Sequence, residues 1–139
     1  MGLFIMYTNS QARKAINDKI KSFDGINKNR IQWTNQKDFT PPSSGLWCRV
    51  TIQYSDSISS GLNLGQCERD FGIVSIQCFA RKGTGDLDLI DLADKWREHF
   101  RGFTDGHLQA YKTNAPTDVS NELNTDFIST LVRIEFRVN

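Results

Sequence analysis

Three segments of the sequence alternate apolar and polar residues with a period of two, the pattern of a strand that buries one face. Their apolar sets are Leu46, Cys48, Val50, Ile52 and Tyr54, then Val74, Ile76, Cys78 and Ala80, and finally Val132, Ile134, Phe136 and Val138. Weaker patterns predict short strands at Arg30 to Thr34 and Leu108 to Thr113. These segments are the strands of the predicted sheet.

Two other segments repeat apolar residues at helical spacing. The first is predicted to begin with Ser10 as its cap, to run to about Phe23 and to stop at Gly25. The second is predicted from about Asp86 to Arg101, with Gly102 after its end. Their inner stripes are Ala12, Ile16, Ile20 and Phe23 in the first helix, and Leu89, Ala93, Trp96 and Phe100, widened by Leu92 and Ile90, in the second.

The order of predicted elements is α-β-β-β-α-β-β. Strands that follow one another without an intervening helix pair antiparallel, so the fold class is α+β: a single, mostly antiparallel sheet with two main helices packed on it. A chain of 139 residues is expected to form one domain, here residues 1–139.

Long polar connections interrupt this pattern. The segment from Phe39 to Gly45 contains two successive prolines and is predicted to be a rigid, extended connector. Ser55 to Gln66 is too long for a tight hairpin turn, and Asn114 to Asp126 is a second polar loop with room for one helical turn. Loops of this length are typically functional or mobile.

Composition narrows the class of protein. Seventeen basic and 16 acidic residues give a net charge of +1, and 38% of the residues are hydrophobic, as in an ordinary soluble domain. This balance argues against a dedicated nucleic-acid binder. No apolar run approaches the roughly 20 residues that span a bilayer. The first residues lack the features of a signal peptide, so we expect a chain that is cytosolic or released by lysis.

Residues that often carry chemistry do not combine into a catalytic or metal motif. Cys48, Cys67 and Cys78 form no C-x-x-C pair, which favours free thiols and leaves a metal site short of ligands, with only His99 and His107 to add. Both histidines are expected at the surface. We therefore expect no catalytic residue, no cofactor and no metal.

Two glycine- or aspartate-rich features have a structural interpretation and a chemical alternative. Gly83-x-Gly85 joins a strand to a helix but lacks the remaining residues of a phosphate-binding loop, which favours a flexible helix entry. The aspartates from Asp86 to Asp94 are most simply a solvated helix face. A metal-dependent hydrolase that uses this cluster remains the chemical alternative.

The candidate interface begins with two aromatic residues. Trp47 and Phe79 fall opposite the apolar sets of their strands, so they lie on the second face of the sheet. Either this face is open and binds a partner, or the long loops cover it. The remaining candidate interface residues lie in the first long loop and are Ser57, Ile58, Leu62 and Leu64.

A series of motifs along the middle of the chain resembles the tail terminator, or tail completion, proteins of long flexible-tailed bacteriophages. The series covers about half the chain and comprises Trp33-x-Asn35, Phe39-x-Pro41-Pro42, Trp47-x-Arg49-Val50, Gly65, Arg69-x-x-Gly72, Val74-x-Ile76, Phe79, Gly83-x-Gly85 and Leu92-Ala93-Asp94 through Phe100. The spacing from Asn35 to Phe39 is one residue longer than is usual in that family.

This resemblance implies a structural virion protein and not an enzyme. Family members form a ring, typically a hexamer, that caps the tail tube, ends its polymerisation and presents a surface to the head connector. The implied partners are other copies of the chain, the major tail tube protein and the head–tail connector, with DNA passing through the hole without specific binding and no membrane contact. The implied location is the head-proximal end of the virion tail, after assembly in the host cytoplasm. The alternative from another class is a small non-viral binding or scaffolding domain.

Overall fold

The computed structural model describes residues 9–33, 36, 39–59, 68–83, 87–106, 108–118 and 127–138. Its two α-helices are α1 (Asn9–Lys21) and α2 (Leu87–Phe100), and a 3-10 turn covers Lys28–Arg30. The described strands are β1 (Ile31–Gln32), β2 (Trp47–Ser59), β3 (Glu68–Arg81), β4 (Thr104–Asp105), β5 (Leu108–Thr113), β6 (Thr117–Asp118) and β7 (Phe127–Val138). The predicted α+β class and element order are confirmed, with β4 and β6 as additional strands of two residues each.

These strands form one sheet. The order across it is β1-β2-β3-β7-β5-β4, and β6 pairs with β7 beside the end of β5. The β1–β2 pair is parallel and every other described pair is antiparallel. The long strands β2, β3 and β7 therefore form the centre, as their strong alternation predicts.

Helix α1 begins at Asn9, so Ser10 lies within its first turn and the prediction of Ser10 as the cap was wrong. The helix ends at Lys21, two residues before the predicted end. Its last turn tightens, since the Ser22 amide also donates to the Lys19 carbonyl at 3.2 Å and the Phe23 amide donates to the Ile20 carbonyl at 3.0 Å, both three residues back.

Helix α2 buries the predicted stripe but presents a narrower apolar face than expected. Its buried residues are Leu89, Leu92, Ala93, Trp96 and Phe100. Ile90, predicted to widen the stripe, is 38% exposed and lies at the edge of the packed face. After the helix, Gly102 takes a φ of 69°, the left-handed conformation that commonly follows a helix end.

Both helices contribute to one hydrophobic core on what we call the covered face of the sheet. The inward sets predicted for β2, β3 and β7 supply the sheet side of this core, including Val50, Ile76 and Ile134, each at most 1% exposed. The Phe23 and Trp96 rings stack between the helices with centroids 3.7 Å apart and planes 18° apart. The predicted assignment of strand faces is therefore confirmed for the described side chains.

The hairpin formed by β2 and β3 is longer than predicted. The segment from Ser55 was expected to be loop, but β2 continues to Ser59, and β3 begins at Glu68. The pairing shifts register between Ser55 and Ile58, and such a bulge breaks the period-two alternation from which a strand is recognised. Similarly, Asn114 to Asp126 contains a short strand at Thr117–Asp118, and residues 119–126 lie outside the described residues.

Gly72 marks a close approach within the sheet. It pairs with Phe136 of β7 on one side and Tyr54 of β2 on the other. A Cβ atom at this position would overlap the Phe136 ring and lie 2.8 Å from the Gln53 carbonyl oxygen. The missing side chain makes room for the aromatic ring in the core.

Candidate functional site

The face of the sheet opposite the helices, which we call the open face, carries mainly polar side chains. Neighbouring positions across β2, β3 and β7 form successive rows, which are Arg49–Gln77–Leu131, Thr51–Ser75–Arg133 and Gln53–Ile73–Glu135. Each of these side chains is exposed or half-buried. The open face is therefore a broad surface that remains accessible in the single chain.

One end of the open face is closed by an aromatic cluster, which comprises Phe39, Trp47, Phe79 and Phe127. Trp47 and Phe79 face each other across β2 and β3 and stack with centroids 4.0 Å apart and planes 9° apart. The Phe39 and Phe127 rings lie 5.4 Å and 5.5 Å from the Trp47 ring. These rings leave Trp47 only 3% and Phe79 only 4% exposed.

This burial corrects the expectation that the two aromatic side chains form an open, partner-binding surface. Trp47 and Phe79 are not an exposed aromatic patch in the single chain, because residues distant in sequence pack over them. The cover includes Phe39 of the proline-bearing connector and Phe127 at the start of β7. Within the described part of the chain, the Trp47 indole Nε1 is buried without a hydrogen-bond partner, which lowers the stability of this packing.

Two arginines fix the connector beside this cluster. Arg81 donates from Nη2 to the Pro42 carbonyl at 3.1 Å, and its guanidinium lies 4.7 Å from the Phe127 ring centroid. Arg30 donates from Nη1 to the Ser44 carbonyl at 2.9 Å and to the Leu46 carbonyl at 3.2 Å. The connector is thus held to the sheet by charge-assisted hydrogen bonds, which are stronger than neutral ones.

The sequence contains a partial signal for this arrangement. Arg81 follows Phe79 by two residues and therefore shares its face of β3, which predicts contact with the aromatic cluster. Nothing in the local pattern indicates that Arg30 reaches the carbonyls of Ser44 and Leu46, because these residues meet only when β1 pairs with β2.

The other end of the open face holds a polar network. Arg137 donates to the Gln109 side-chain oxygen from Nε at 3.1 Å and from Nη2 at 2.8 Å. Glu135 accepts from Asn114 Nδ2 at 3.2 Å and lies 3.8 Å from the Lys112 Nζ. Burial, and secondarily the Glu135 carboxylate, raise the pKa of the Tyr111 phenol, and the Arg137 guanidinium acts in the opposite direction.

Charge is distributed unevenly over this surface. Its described basic side chains are Arg49, Arg81, Lys112, Arg133 and Arg137, whereas Glu135 is its described acidic side chain. Arg49 additionally donates to the Gln32 side-chain oxygen at 3.1 Å. Because the whole chain carries only +1, the open face is much more basic than the average surface and favours a partner with acidic groups.

The loop residues of the candidate interface lie at the other end of the β2–β3 hairpin. Ser57 and Ile58 belong to β2, and Ile58 pairs with Arg69 of β3. Leu62 and Leu64 lie outside the described residues. The predicted site thus divides between two places, with Trp47 and Phe79 in the aromatic cluster and Ser57 and Ile58 toward the hairpin end.

The aspartate cluster of α2 is dispersed on the helix surface. Asp88, Asp91 and Asp94 are all exposed, and Asp91 lies 3.7 Å from the Lys95 Nζ. Asp88 and Asp91 line a shallow cavity of about 190 Å³. Within the described part of the chain, no group of three acidic, histidine or cysteine side chains is arranged to hold a metal ion. Asp86 lies outside the described residues.

His99 occupies a structural position between the helices. Its Nε2 lies 2.7 Å from the Lys19 carbonyl oxygen and 3.1 Å from the Ser22 hydroxyl, and its ring contacts Phe23. The expectation of a surface histidine was wrong for His99, which is half-buried because the end of α1 packs against it. His107 lies outside the described residues.

The described residues therefore define a small α+β protein whose accessible polar chemistry lies on a broad, basic sheet face. Neither described helix has the length and apolar character that crossing a bilayer requires.

The family model of the phage tail terminator protein matches residues 11–125, well over half of the chain. The chain therefore belongs to the phage tail terminator protein family, and it is a structural component of the bacteriophage virion tail. This match confirms the resemblance drawn from the motifs between Trp33 and Gly102.

Solved structures show the same fold. Six chains match, and one of them superposes with a TM-score of 0.69 over 95% of this chain and 96% of its own length at 15% identity. At that identity the likeness establishes the fold alone. A search of curated protein sequences found no match.

Proposed function

We propose that this chain forms a ring, most simply a hexamer, that caps the head-proximal end of the phage tail tube. All 139 residues act as one tail terminator domain in this proposal. The ring ends tube polymerisation, contacts the major tail tube protein on one side and the head–tail connector on the other, and lets DNA pass through its hole without specific binding. Assembly takes place in the host cytoplasm, and the chain catalyses no reaction.

The observation that carries this proposal is that the chain presents two unlike surfaces. A closed ring requires a heterologous contact, in which one surface of a subunit meets a different surface of its neighbour. The basic open face is one such surface. The end of the β2–β3 hairpin is the other, since the pair Ser59↔Glu68 lies beyond Asp70↔Val138, the last pairing of β7.

Charge makes these two surfaces complementary. The hairpin end, defined as residues 55–70, contains the acidic residues Asp56, Glu68 and Asp70 and the basic residue Arg69. An acidic segment is attracted to the basic open face of a neighbouring copy. We therefore assign Ser57, Ile58, Leu62 and Leu64 to the subunit contact, where the apolar side chains bury area and the surrounding charges set the orientation.

The same charges argue against the open face lining the hole through which DNA passes. A face with five described basic side chains against one acidic one would hold phosphates if it lined the hole, and such binding would resist passage of the duplex. Covering this face with a neighbouring subunit leaves a lumen closer to the near-neutral average of the chain. Arg133 and Arg137 then act in assembly and not in DNA binding.

Sedimentation across a concentration series tests the ring directly. We expect the wild-type chain to form a discrete oligomer, and the double variant Arg133→Glu, Arg137→Glu to raise the dissociation constant about tenfold, because reversed charges repel the acidic hairpin end. Lys28→Glu, an exposed charge change outside the open face, is the matched control and should assemble normally. A wild-type chain that stays monomeric even with tail tubes present would overturn the ring.

Deletion of part of Ser57 to Leu64 tests the role of the hairpin end in the virion. We expect the shortened chain to fold, because its covered-face core is unchanged, but to yield tail tubes of uncontrolled length in electron micrographs. Tails of normal length from this deletion would exclude the hairpin end from the terminating contact.

A further inference from the structure

Two cysteines lie directly opposite each other in the centre of the sheet. Cys48 of β2 pairs in register with Cys78 of β3, and their Sγ atoms are 3.6 Å apart. Both are free thiols that are 0% exposed. The register is continuous from Trp47↔Phe79 to Ser55↔Phe71, so this juxtaposition is fixed by a long run of backbone pairing.

The backbone at this position is compatible with a covalent bond between the two sulfurs. Directly opposed residues of antiparallel strands have Cα atoms about 4.5–5.5 Å apart, which falls within the range of about 4.4–6.8 Å found for disulfides. A disulfide needs the sulfurs about 2.05 Å apart. Rotation of the two side chains supplies most of the required approach, since the strands are already side by side.

The surroundings keep the reduced pair stable in the folded chain. The hydrogen bond with Cys48, then burial and the charge of a Cys48 thiolate, raise the pKa of the Cys78 thiol well above its ordinary value. The thiolate is the form that attacks a disulfide, so it is scarce at neutral pH. The core around both sulfurs also excludes a bulky oxidant until the strands open.

We propose that Cys48 and Cys78 are a modification site at which a disulfide oxidant closes a reversible crosslink between β2 and β3. One thiolate attacks glutathione disulfide, forms a mixed disulfide and releases a glutathione thiolate. The other thiolate then displaces the second glutathione and forms the Cys48–Cys78 bond. Two S–H bonds and one glutathione S–S bond are lost, and one protein S–S bond and two glutathione thiols are formed.

This crosslink would make the stability of the chain depend on redox conditions, which capping the tube does not require. The pair stays reduced in the cytosol, where thiols predominate, and closes when the strands open in an oxidising medium such as the one a released virion meets. Closure joins the two strands of the long hairpin and constrains the loop between residues 48 and 78 in the unfolded state. The melting temperature is therefore expected to rise by about 10 °C.

The test uses the full chain carrying Cys67→Ser, so that only the proposed pair can react. The chain is partly unfolded in urea to admit the reagent, refolded with glutathione disulfide in excess over glutathione, treated with an alkylating agent and analysed by intact mass and peptide mapping. We expect a 48–78 crosslinked peptide, loss of both alkylation sites and a melting temperature about 10 °C higher that returns to the original value with dithiothreitol.

Two controls separate this site from incidental thiol oxidation. Cys48→Ala and Cys78→Ala in the same background should each leave one thiol that forms only a mixed disulfide. The wild-type chain should give the same 48–78 peptide, with Cys67 outside the crosslink as a thiol or as a mixed disulfide with glutathione. A refolded chain with both thiols still reactive, or a wild-type crosslink that involves Cys67, would overturn the proposal.

Discussion

On the covered face of the sheet, side chains of β2, β3 and β7 meet two helices and are almost all apolar. On the open face, the same strands carry the aromatic cluster at one end and mainly polar or charged residues over the rest. The covered face holds the domain together, and most of the open face remains accessible in the single chain. Alternation along one strand therefore places core side chains on one face and mainly polar, accessible side chains on the other.

The largest expected effect on stability comes from placing a charge on the covered face. Ile76→Asp, like Val50→Asp, places an unpaired charge in the core and should unfold the domain. Ser75→Asp is the matched control, because Ser75 lies on the open face opposite Arg133 and the new carboxylate gains a basic neighbour. Circular dichroism melts measure both. Equal melting temperatures for the two variants would contradict the assignment of faces.

A smaller but still large effect is expected from the aromatic cluster. Trp47→Ala removes the centre of the stack and should lower the free energy of unfolding by about 3 kcal/mol, measured in urea. Trp47→Phe should lose much less, because it keeps an aromatic ring and removes an indole N–H that has no described partner. Near-wild-type stability of Trp47→Ala would show that this end of the open face is not a second packed cluster.

Gly72→Ala tests the close approach between β3 and β7 in the middle of the sheet. The added methyl group overlaps the Phe136 ring, so we expect a loss of about 2 kcal/mol. In a double-mutant cycle with Phe136→Leu, the cost of Gly72→Ala should fall, because the smaller side chain makes room. Additive effects of the two changes would instead point to the contact with the Gln53 carbonyl.

The smallest effect is expected from loosening the proline-bearing segment, Phe39 to Gly45, from the sheet. Arg81→Met keeps much of the side-chain volume but loses the hydrogen bond to Pro42 and the contact with Phe127, which should reduce stability by about 1 kcal/mol. Lys82→Met changes an exposed charge in the adjacent turn and should have no measurable effect. Identical denaturation curves for the two variants would show that Arg81 does not stabilise the segment from Phe39 to Gly45.

Local pattern was enough to predict the covered face, because burial against a helix demands an uninterrupted apolar set such as Cys48, Val50 and Ile52. It was not enough to predict the cover of Trp47 and Phe79, since Phe39 and Phe127 reach them through tertiary packing. The strand beyond Ser55 was missed for a different reason, because the register shift before Ile58 disrupts the alternation. The two-residue strands β4 and β6 are too short to produce any period.

The two fully packed tryptophans lie on opposite sides of the sheet, Trp96 between the helices and Trp47 in the aromatic cluster. Their fluorescence therefore reports on each side separately once one of them is replaced by phenylalanine. With Trp33 also changed, emission from Trp47 would register a neighbour arriving at the sheet, while emission from Trp96 would stay constant unless the domain itself opened. The molecule thus contains an intrinsic optical means of distinguishing association from unfolding.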